Sequence, residues 1–167
     1  MGATALFGLN PALAQPTDLT QGKPVGSARL TVFGFEIYNA RLWVAPGFRR
    51  DAYAQHPLTL ELSYLRNFSG VDIAERSIKE MRRIEGFADD QAPQWLAELK
   101  RTLPDVKKGE RLTGVYQPGE GLRFLFNDKP LADIKDPLLA RVFMGIWLSP
   151  RTSEPQMRDA LLAEASP

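Results

Sequence analysis

The chain has no cysteine and a single histidine, His56, in 167 residues. The lack of cysteine excludes disulfide bonds, zinc–thiolate sites and cysteine nucleophiles. One histidine argues against a Ser-His-Asp arrangement or a multi-histidine metal site, and His56 precedes Pro57 in a polar segment typical of a surface loop. Phosphate-binding motifs such as GxxxxGK[ST] are absent as well. We therefore expect a protein that uses no metal and no cofactor.

The chain also lacks an excess of charge of either sign. It has 21 Lys and Arg residues and 20 Asp and Glu residues, which give a net charge of +1. This balance gives no electrostatic reason to expect binding to nucleic acid or to an anionic membrane. The length fits one domain. The 44% hydrophobic and 25% charged residues are typical of a globular protein. No stretch of the chain approaches the roughly 18 apolar residues that a membrane span needs.

The N-terminus is apolar and ends in a possible processing site. Residues 3–14 are mostly small or apolar, and Ala12-Leu13-Ala14 forms a small-x-small pattern before Gln15. No Lys or Arg occurs before Lys23, so the basic start of a secretory signal is missing. The segment is either a signal remnant with a truncated or misassigned start, or a leader without a role. We favour the first, which predicts a signal remnant at 1–14, one domain at 15–167, and a periplasmic or secreted location.

Alternation of apolar residues predicts five strands. Residues 28–34 and 36–45 form a hairpin that turns at Gly34, and residues 57–66 alternate cleanly. Two further strands, 110–117 and 121–127, are joined through Pro118-Gly119-Glu120-Gly121.

Helical periodicity and capping residues predict four helices. Ser69 caps a helix over 71–86, and a second covers 91–103 before Pro104. Asp136-Pro137 opens a strongly apolar helix over 137–148, and Glu154-Pro155 starts a last short one. The order β-β-β-α-α-β-β-α-α predicts an α+β fold with an antiparallel sheet and helices on one face.

Several polar residues lie on or beside the apolar faces of these elements. Each of these residues, considered alone, is interpreted as a residue at the end or edge of a strand whose side chain reaches water. Together they predict a partly polar cleft between the sheet and the first helix, because buried polar groups need partners. These residues are Arg29, Tyr38, Tyr64, Arg66 and Glu80. Trp43 and Trp147 read as core or cleft wall.

Four segments resemble the chalcone isomerase-like family, and most of all its bacterial, secreted branch. They are the hairpin 29–44, Arg76-Ser77-Ile78-Lys79-Glu80-Met81, Leu103-Pro104-Asp105-Val106 with Gly109, and Gly145-Ile146-Trp147-Leu148-Ser149-Pro150. The resemblance runs from about Gly26 to Leu162. It implies an open-faced β-sandwich, with a large antiparallel sheet, a helical layer and a ligand cleft between them.

The resemblance also implies a list of site positions. The isomerases of the family use a strand arginine, a strand Thr and a helix Tyr at the reacting ketone. A helix Asn and a late Ser or Thr hold the flavonoid ring. The arginine matches Arg29, and the strand Thr falls at Tyr38, as in the fatty-acid-binding members. The helix Tyr falls at Ile73, the Asn at Glu80, and the late residue at Thr152 or Ser153.

Two of these positions carry the wrong chemistry for the isomerase. Ile73 cannot donate a hydrogen bond to an enolate, and Glu80 would repel a phenolate substrate and could pair with Arg29. Catalysis of chalcone cyclisation is therefore not expected, and no catalytic residue is assigned. Glu80 is expected to contact Arg29 or Arg66, or else to reach water.

Three functions stay open. The first is a non-catalytic cell-envelope protein that binds a small apolar acid such as a fatty acid, with the head group on Arg29 and Tyr38. The second is a protein-contact role with a filled cleft. The third is an isomerase or lyase acting on an unsaturated carbonyl compound. The first is favoured, and its predicted ligand-binding residues are Arg29, Tyr38, Tyr64, Ile73, Glu80 and Ser153.

Overall fold

A computed structural model describes residues 22–167, so the predicted leader at 1–14 lies outside the described residues. A six-stranded antiparallel sheet forms one layer of the fold, with the strands in chain order across the sheet. The strands are β1 (Lys23–Val32), β2 (Phe35–Val44), β3 (Leu58–Tyr64), β4 (Arg111–Gln117), β5 (Gly121–Phe126) and β6 (Lys129–Ile134). The predicted antiparallel sheet is confirmed.

The sixth strand was not predicted from the sequence. Asn127 and Asp128 adopt positive φ angles of 48° and 68°, which is the conformation of a tight two-residue hairpin turn. The turn sends β6 back along β5, where Phe126 pairs with Lys129. Pro130 weakened the strand pattern, since proline cannot donate to a sheet and is confined to edge strands. β6 is such an edge strand.

The helices match the predicted ones within two residues. They are α1 (Gly70–Ile84), α2 (Gln91–Thr102), α3 (Pro137–Leu148) and α4 (Pro155–Leu161). Ser69 Oγ caps α1 by accepting from the Asp72 N–H at 3.0 Å, and Asp136 caps α3. The segment predicted as loop before β3 contains a 3-10 helix, Arg50–Gln55. No helix within residues 22–167 is long and apolar enough to cross a membrane.

The core lies between one face of the sheet and the helices. Ala40, Leu42 and Val44 of β2 are buried on this face, as are Leu58, Leu60, Leu62 and Tyr64 of β3. The opposite face is marked by the exposed residues Arg29, Arg41 and Arg123. The α+β fold class, with an antiparallel sheet and a helical layer, is therefore confirmed.

α4 packs tightly against the edge strand β1 at Gly26. A Cβ atom at Gly26 would lie 2.2 Å from the carbonyl oxygen of Ala160 and 2.3 Å from that of Leu161. Only glycine fits such an approach between two backbones. α4 also contributes Met157 to the cavity described below, so this contact positions one wall of the site.

Gly26→Ala should therefore destabilise the protein by about 1–3 kcal/mol, since backbone atoms cannot yield as a flexible side chain can. Urea unfolding followed by circular dichroism measures the change. Gly86→Ala is the matched control, because an added Cβ there meets nothing within 4 Å. Equal stabilities of the two variants would show that the Gly26 contact is not tight in solution.

Candidate functional site

A β-bulge in the first hairpin shapes the site. Leu30 pairs with Tyr38 and Thr31 pairs with Glu36, so Ile37 has no partner residue on β1. An extra residue in one strand re-aims the side chains around it. As a result the consecutive residues Ile37 and Tyr38 both line the same cavity, which regular alternation would not allow.

The cavity lies between the sheet and the helical layer and has a volume of about 370 Å³. This size lies toward the lower end of the range of about 300–1,000 Å³ for small-molecule sites. Its wall is mostly apolar and aromatic. The apolar lining residues are Leu30, Val32, Ile37, Leu62, Phe68, Ile73, Leu112, Phe143, Ile146, Trp147 and Met157. The polar lining residues are Tyr38, Tyr64, Asp72, Arg76, Ser77, Glu80, Ser153 and Glu154.

Tyr38 connects the sheet to α3 through its hydroxyl group. The hydroxyl oxygen accepts a hydrogen bond from Trp147 Nε1 at 2.9 Å. Burial raises the pKa of Tyr38 well above its usual value near 10, although the Trp147 hydrogen bond acts in the opposite direction. The phenol is therefore neutral at physiological pH, and its own proton is available to a ligand.

Tyr64 lies beside Tyr38 on the neighbouring strand. The two residues are cross-strand partners, and their ring centroids are 5.7 Å apart in an edge-to-face arrangement. Tyr64 is only 4% exposed. Among the described residues its hydroxyl has no hydrogen-bond partner, and burial raises its pKa. No fully enclosed side-chain oxygen or nitrogen in residues 22–167 lacks a partner, so this hydroxyl borders the open volume of the cavity.

Glu80 closes one side of the cavity. Its carboxylate lies 3.0 Å from a guanidinium nitrogen of Arg76, one helical turn earlier, and accepts a 2.6 Å hydrogen bond from Ser153 Oγ. The Glu80 side chain is 11% exposed and that of Arg76 is 61% exposed. Glu80 was expected to contact Arg29 or Arg66, or else to reach water, and its cationic partner is instead Arg76. The predicted partners were wrong, because neither Arg29 nor Arg66 occupies that place.

Five of the six predicted site residues line the cavity: Tyr38, Tyr64, Ile73, Glu80 and Ser153. Arg29 does not. It alternates with the cavity-lining residues Leu30 and Val32, so it lies on the opposite face of the sheet. There it forms an ion pair with Glu36 and donates from Nε to Asn39 Oδ1 at 2.8 Å. The placement of Arg29 in the cleft was wrong.

Two further sequence alternatives are resolved by contacts. Arg66 is exposed and lies over the Phe35 ring, 4.4 Å from its centroid, so it is not part of the cavity wall. Thr152 donates to the carbonyl of Ile146 at 2.6 Å, whereas Ser153 contacts Glu80. Ser153 is therefore the late hydroxyl residue that belongs to the site.

Arg76, the one cation that the described residues contribute to the cavity wall, was not predicted as a site residue. The available signal was its i,i+4 spacing to Glu80, which places the two side chains on the same face of a helix. Asp72 and Glu154 were also missed. Asp72 is exposed and Glu154 is half-buried, and nothing in the strand or helix periodicity distinguishes them from solvated surface residues.

The cavity wall combines an apolar surface with a small number of hydrogen-bonding groups. Within the described part of the chain, no group of three or more His, Asp or Glu side chains could hold a metal ion. The charge of Arg76 is taken up by Glu80. What remains is a largely apolar cavity with two neutral phenol groups, and the Tyr64 hydroxyl has no hydrogen-bond partner within residues 22–167.

Comparisons with known proteins agree with this fold. The profile described as chalcone isomerase-like matches residues 25–163. A protein of Haemophilus influenzae described as uncharacterized is 28% identical over 142 residues, covering 85% of this chain and 68% of that protein. A fatty-acid binding protein of Arabidopsis thaliana has a similar fold, with a TM-score of 0.67 and 10% identity, covering 84% of this chain and 86% of that one.

At 10% identity the plant structure shows a shared fold and no more. The family match is stronger evidence because it extends over most of the chain, from Val25 in β1 to just beyond α4. On this evidence the chain belongs to the chalcone isomerase-like family.

Proposed function

We propose that the protein is a non-catalytic binding protein for a small apolar acid such as a fatty acid. The apolar chain of the ligand occupies the cavity between sheet and helices. The acid group accepts hydrogen bonds from Tyr64 and Tyr38. The name of the structural neighbour, a fatty-acid binding protein, supports this class of ligand.

The observation that carries the proposal is the Tyr64 hydroxyl. The Tyr64 phenol is largely buried, but its hydroxyl is not fully enclosed and has no hydrogen-bond partner among the described residues, so its partner is whatever fills the cavity. The Tyr64 hydroxyl borders a cavity whose other walls are largely apolar. A ligand that brings an oxygen acceptor on an apolar body satisfies both features at once.

The electrostatics of the wall favour the phenols over the guanidinium as the anchor. Arg76 is paired with Glu80, and Asp72 and Glu154 add two more carboxylates to the lining. As a result, Arg76 is not available to pair with the acid group of a ligand. Neutral O–H donors hold an acid oxygen without requiring the Arg76–Glu80 pair to open.

Tyr64→Phe should weaken the binding of a long-chain fatty acid by roughly 2- to 12-fold, the value of one neutral hydrogen bond of about 0.5–1.5 kcal/mol. The substitution breaks no hydrogen bond within the described protein, so folding is preserved. Tryptophan fluorescence measures the titration, since Trp147 lines the cavity.

Arg29→Ala is the matched control for this titration, because Arg29 lies on the other face of the sheet. It should leave the affinity unchanged. A loss of affinity in Arg29→Ala with none in Tyr64→Phe would contradict the assignment of the phenols. No binding by the unaltered protein would favour a protein-contact role instead.

The raised pKa values predict a loss of stability in alkali. In the unfolded chain a tyrosine ionises near pH 10, whereas burial keeps Tyr38 and Tyr64 protonated to higher pH. Their contribution to stability is therefore complete below pH 10 and falls as the pH rises above it. Melting temperatures at pH 9 and pH 11 should show a smaller drop for Tyr64→Phe than for the unaltered protein. Equal drops would argue against the burial of that phenol.

The protein should not cyclise chalcones at an enzymatic rate. Ile73 lines the cavity where the resemblance expects a tyrosine, and Arg29 is outside the cavity. Progress curves with naringenin chalcone should match the uncatalysed rate. Saturable turnover that disappears in Tyr38→Phe would instead establish an isomerase.

We also propose that the protein works in the cell envelope. The support is the Ala12-Leu13-Ala14 pattern after a short apolar stretch. Fractionation of cells expressing the gene from its own start, followed by N-terminal sequencing, tests this. Recovery of a processed chain beginning near Gln15 in the periplasmic fraction is the expected result.

A further inference from the structure

The two phenol groups of the cavity wall offer protons to a ligand. The Tyr38 oxygen already accepts a hydrogen bond from Trp147 Nε1 at 2.9 Å. The Tyr38 proton has no acceptor within residues 22–167, and the Tyr64 hydroxyl has no hydrogen-bond partner there. Because burial keeps both phenols neutral, each presents an O–H donor to the cavity. The ligand is therefore expected to bring an acceptor atom.

The charged groups of the cavity wall are mostly carboxylates. Arg76 and Glu80 form an ion pair at 3.0 Å, so together they carry no net charge. Asp72 and Glu154 also line the cavity, and neither forms an ion pair within the described part of the chain. The wall thus has one cation and three carboxylates among the described residues, which leaves two negative charges in excess.

The other elements around the cavity do not offset this charge. The lining residues that β1, β4, α3 and α4 contribute are uncharged, and those of β2 and β3 include the neutral phenols. The titratable and charged groups that line the cavity around the two hydroxyls therefore come from α1, from the segment before α4 and from the phenols themselves. They are Asp72, Arg76, Glu80, Glu154, Tyr38 and Tyr64.

The electrostatics at Tyr38 indicate how these charges act on an anion placed there. Burial is the main cause of its raised pKa, and the Trp147 hydrogen bond opposes it. Among the charged groups, Glu154 has the largest effect and raises the pKa of Tyr38. Arg76 lowers this pKa and Glu80 raises it again. Carboxylates that oppose a phenolate at this position also oppose the carboxylate of a ligand bound to the same hydroxyl.

A cationic head group does not fit the hydroxyls either. The excess carboxylates would attract an ammonium group, but an ammonium group has no acceptor for the Tyr38 proton. An uncharged oxygen accepts from the phenols and is not repelled by Asp72 or Glu154. The donors and the charges of the wall therefore favour the same kind of head group, which is a neutral acceptor.

We propose that the cavity binds its ligand in an uncharged form, with a carbonyl or hydroxyl oxygen as the acceptor for Tyr38 and Tyr64. A carboxylic acid then binds in its protonated state. An uncharged molecule of the same shape binds more tightly than the acid at neutral pH. This inference rests on the proposed ligand-binding function and narrows the class of ligand.

The first test compares decanoic acid with decanamide, an uncharged molecule with the same apolar chain. Lowering the pH from 8 to 6 should strengthen the binding of decanoic acid by roughly 100-fold. The reason is that the protonated fraction of a carboxyl group with a pKa of about 4.3 rises tenfold per pH unit. The phenols stay neutral over this range, so the affinity for decanamide should not change. Fluorescence of Trp147, which lines the cavity, measures both titrations.

Calorimetry provides a second readout that does not depend on comparing affinities. Titrations in buffers with different ionisation enthalpies count the protons that the complex takes up. Decanoic acid should take up about one proton per bound molecule at pH 7.5, because binding is linked to protonation. Decanamide should take up none.

Glu154→Gln tests the contribution of the wall carboxylates. The Glu154 side chain makes no capping hydrogen bond to α4, so the substitution keeps the helix. At pH 8 it should strengthen the binding of decanoic acid relative to decanamide by roughly twofold to fivefold, the effect of one partly exposed charge. Glu120→Gln is the matched control. It removes the same charge from an exposed residue at the turn between β4 and β5, outside the cavity wall, and should not alter this ratio.

The outcomes separate this inference from the proposed function. Decanoic acid that binds as tightly at pH 8 as at pH 6, with no proton uptake, would overturn the uncharged form and leave the acid-binding function in place. Tighter binding of decyltrimethylammonium than of decanamide would also overturn it, in favour of a cationic ligand. If neither decanoic acid nor decanamide binds at either pH, both proposals fail.

Discussion

The buried carboxylate of Glu80 is the constraint on which the cavity depends. A carboxylate so far removed from water must be paired and hydrogen-bonded. Arg76 provides the charge from the same helix, and Ser153 provides a hydroxyl from the segment between α3 and α4. Glu80 thus ties α1 to the C-terminal part of the helical layer. Glu80 and Ser153 both line the cavity, so this connection forms part of its wall.

The fold could be predicted largely from periodicity, and the failures have physical causes. Ser69, Asp136 and the alternating residues of β3 indicate their elements directly. β6 was missed because Pro130 breaks the strand pattern, although the Asn127-Asp128 turn before it was a usable signal. The 3-10 helix at Arg50–Gln55 has no buried residues and therefore leaves no apolar pattern to detect.

The site was predictable where side chains follow a regular period and was not where the backbone departs from it. Tyr38, Tyr64 and Glu80 lie on apolar faces that the sequence reveals. Arg29 was placed in the cleft because an arginine stands at a matching position in the family. Such a match does not say which face of the sheet the side chain takes, and a shift of one residue in register reverses the face. The bulge at Ile37 is such an irregularity, and no local sequence signal announced it.

The family fold can support catalysis or binding because its function depends on a few side chains around one cavity. Here Ile73 lines the cavity where the resemblance expects a tyrosine, and Arg76, the one cation among the described residues of the cavity wall, is paired with Glu80. Hydrogen-bond donors remain at Tyr38 and Tyr64, on two neighbouring strands of a rigid sheet. These two hydroxyl groups are the basis of the proposal that the cavity recognises an oxygen atom of a ligand.

The proline of β6 has a consequence for how copies of the chain behave at high concentration. An edge strand with free N–H and C=O groups is a template on which another molecule can add a strand, which leads to aggregation. Pro130 has no N–H to offer, Lys129 brings a charge beside it, and the irregular register between Phe124 and Leu125 bends the edge. At the other edge, α4 covers part of β1 at Gly26. The sheet can thus remain a single six-stranded unit instead of growing into an intermolecular one.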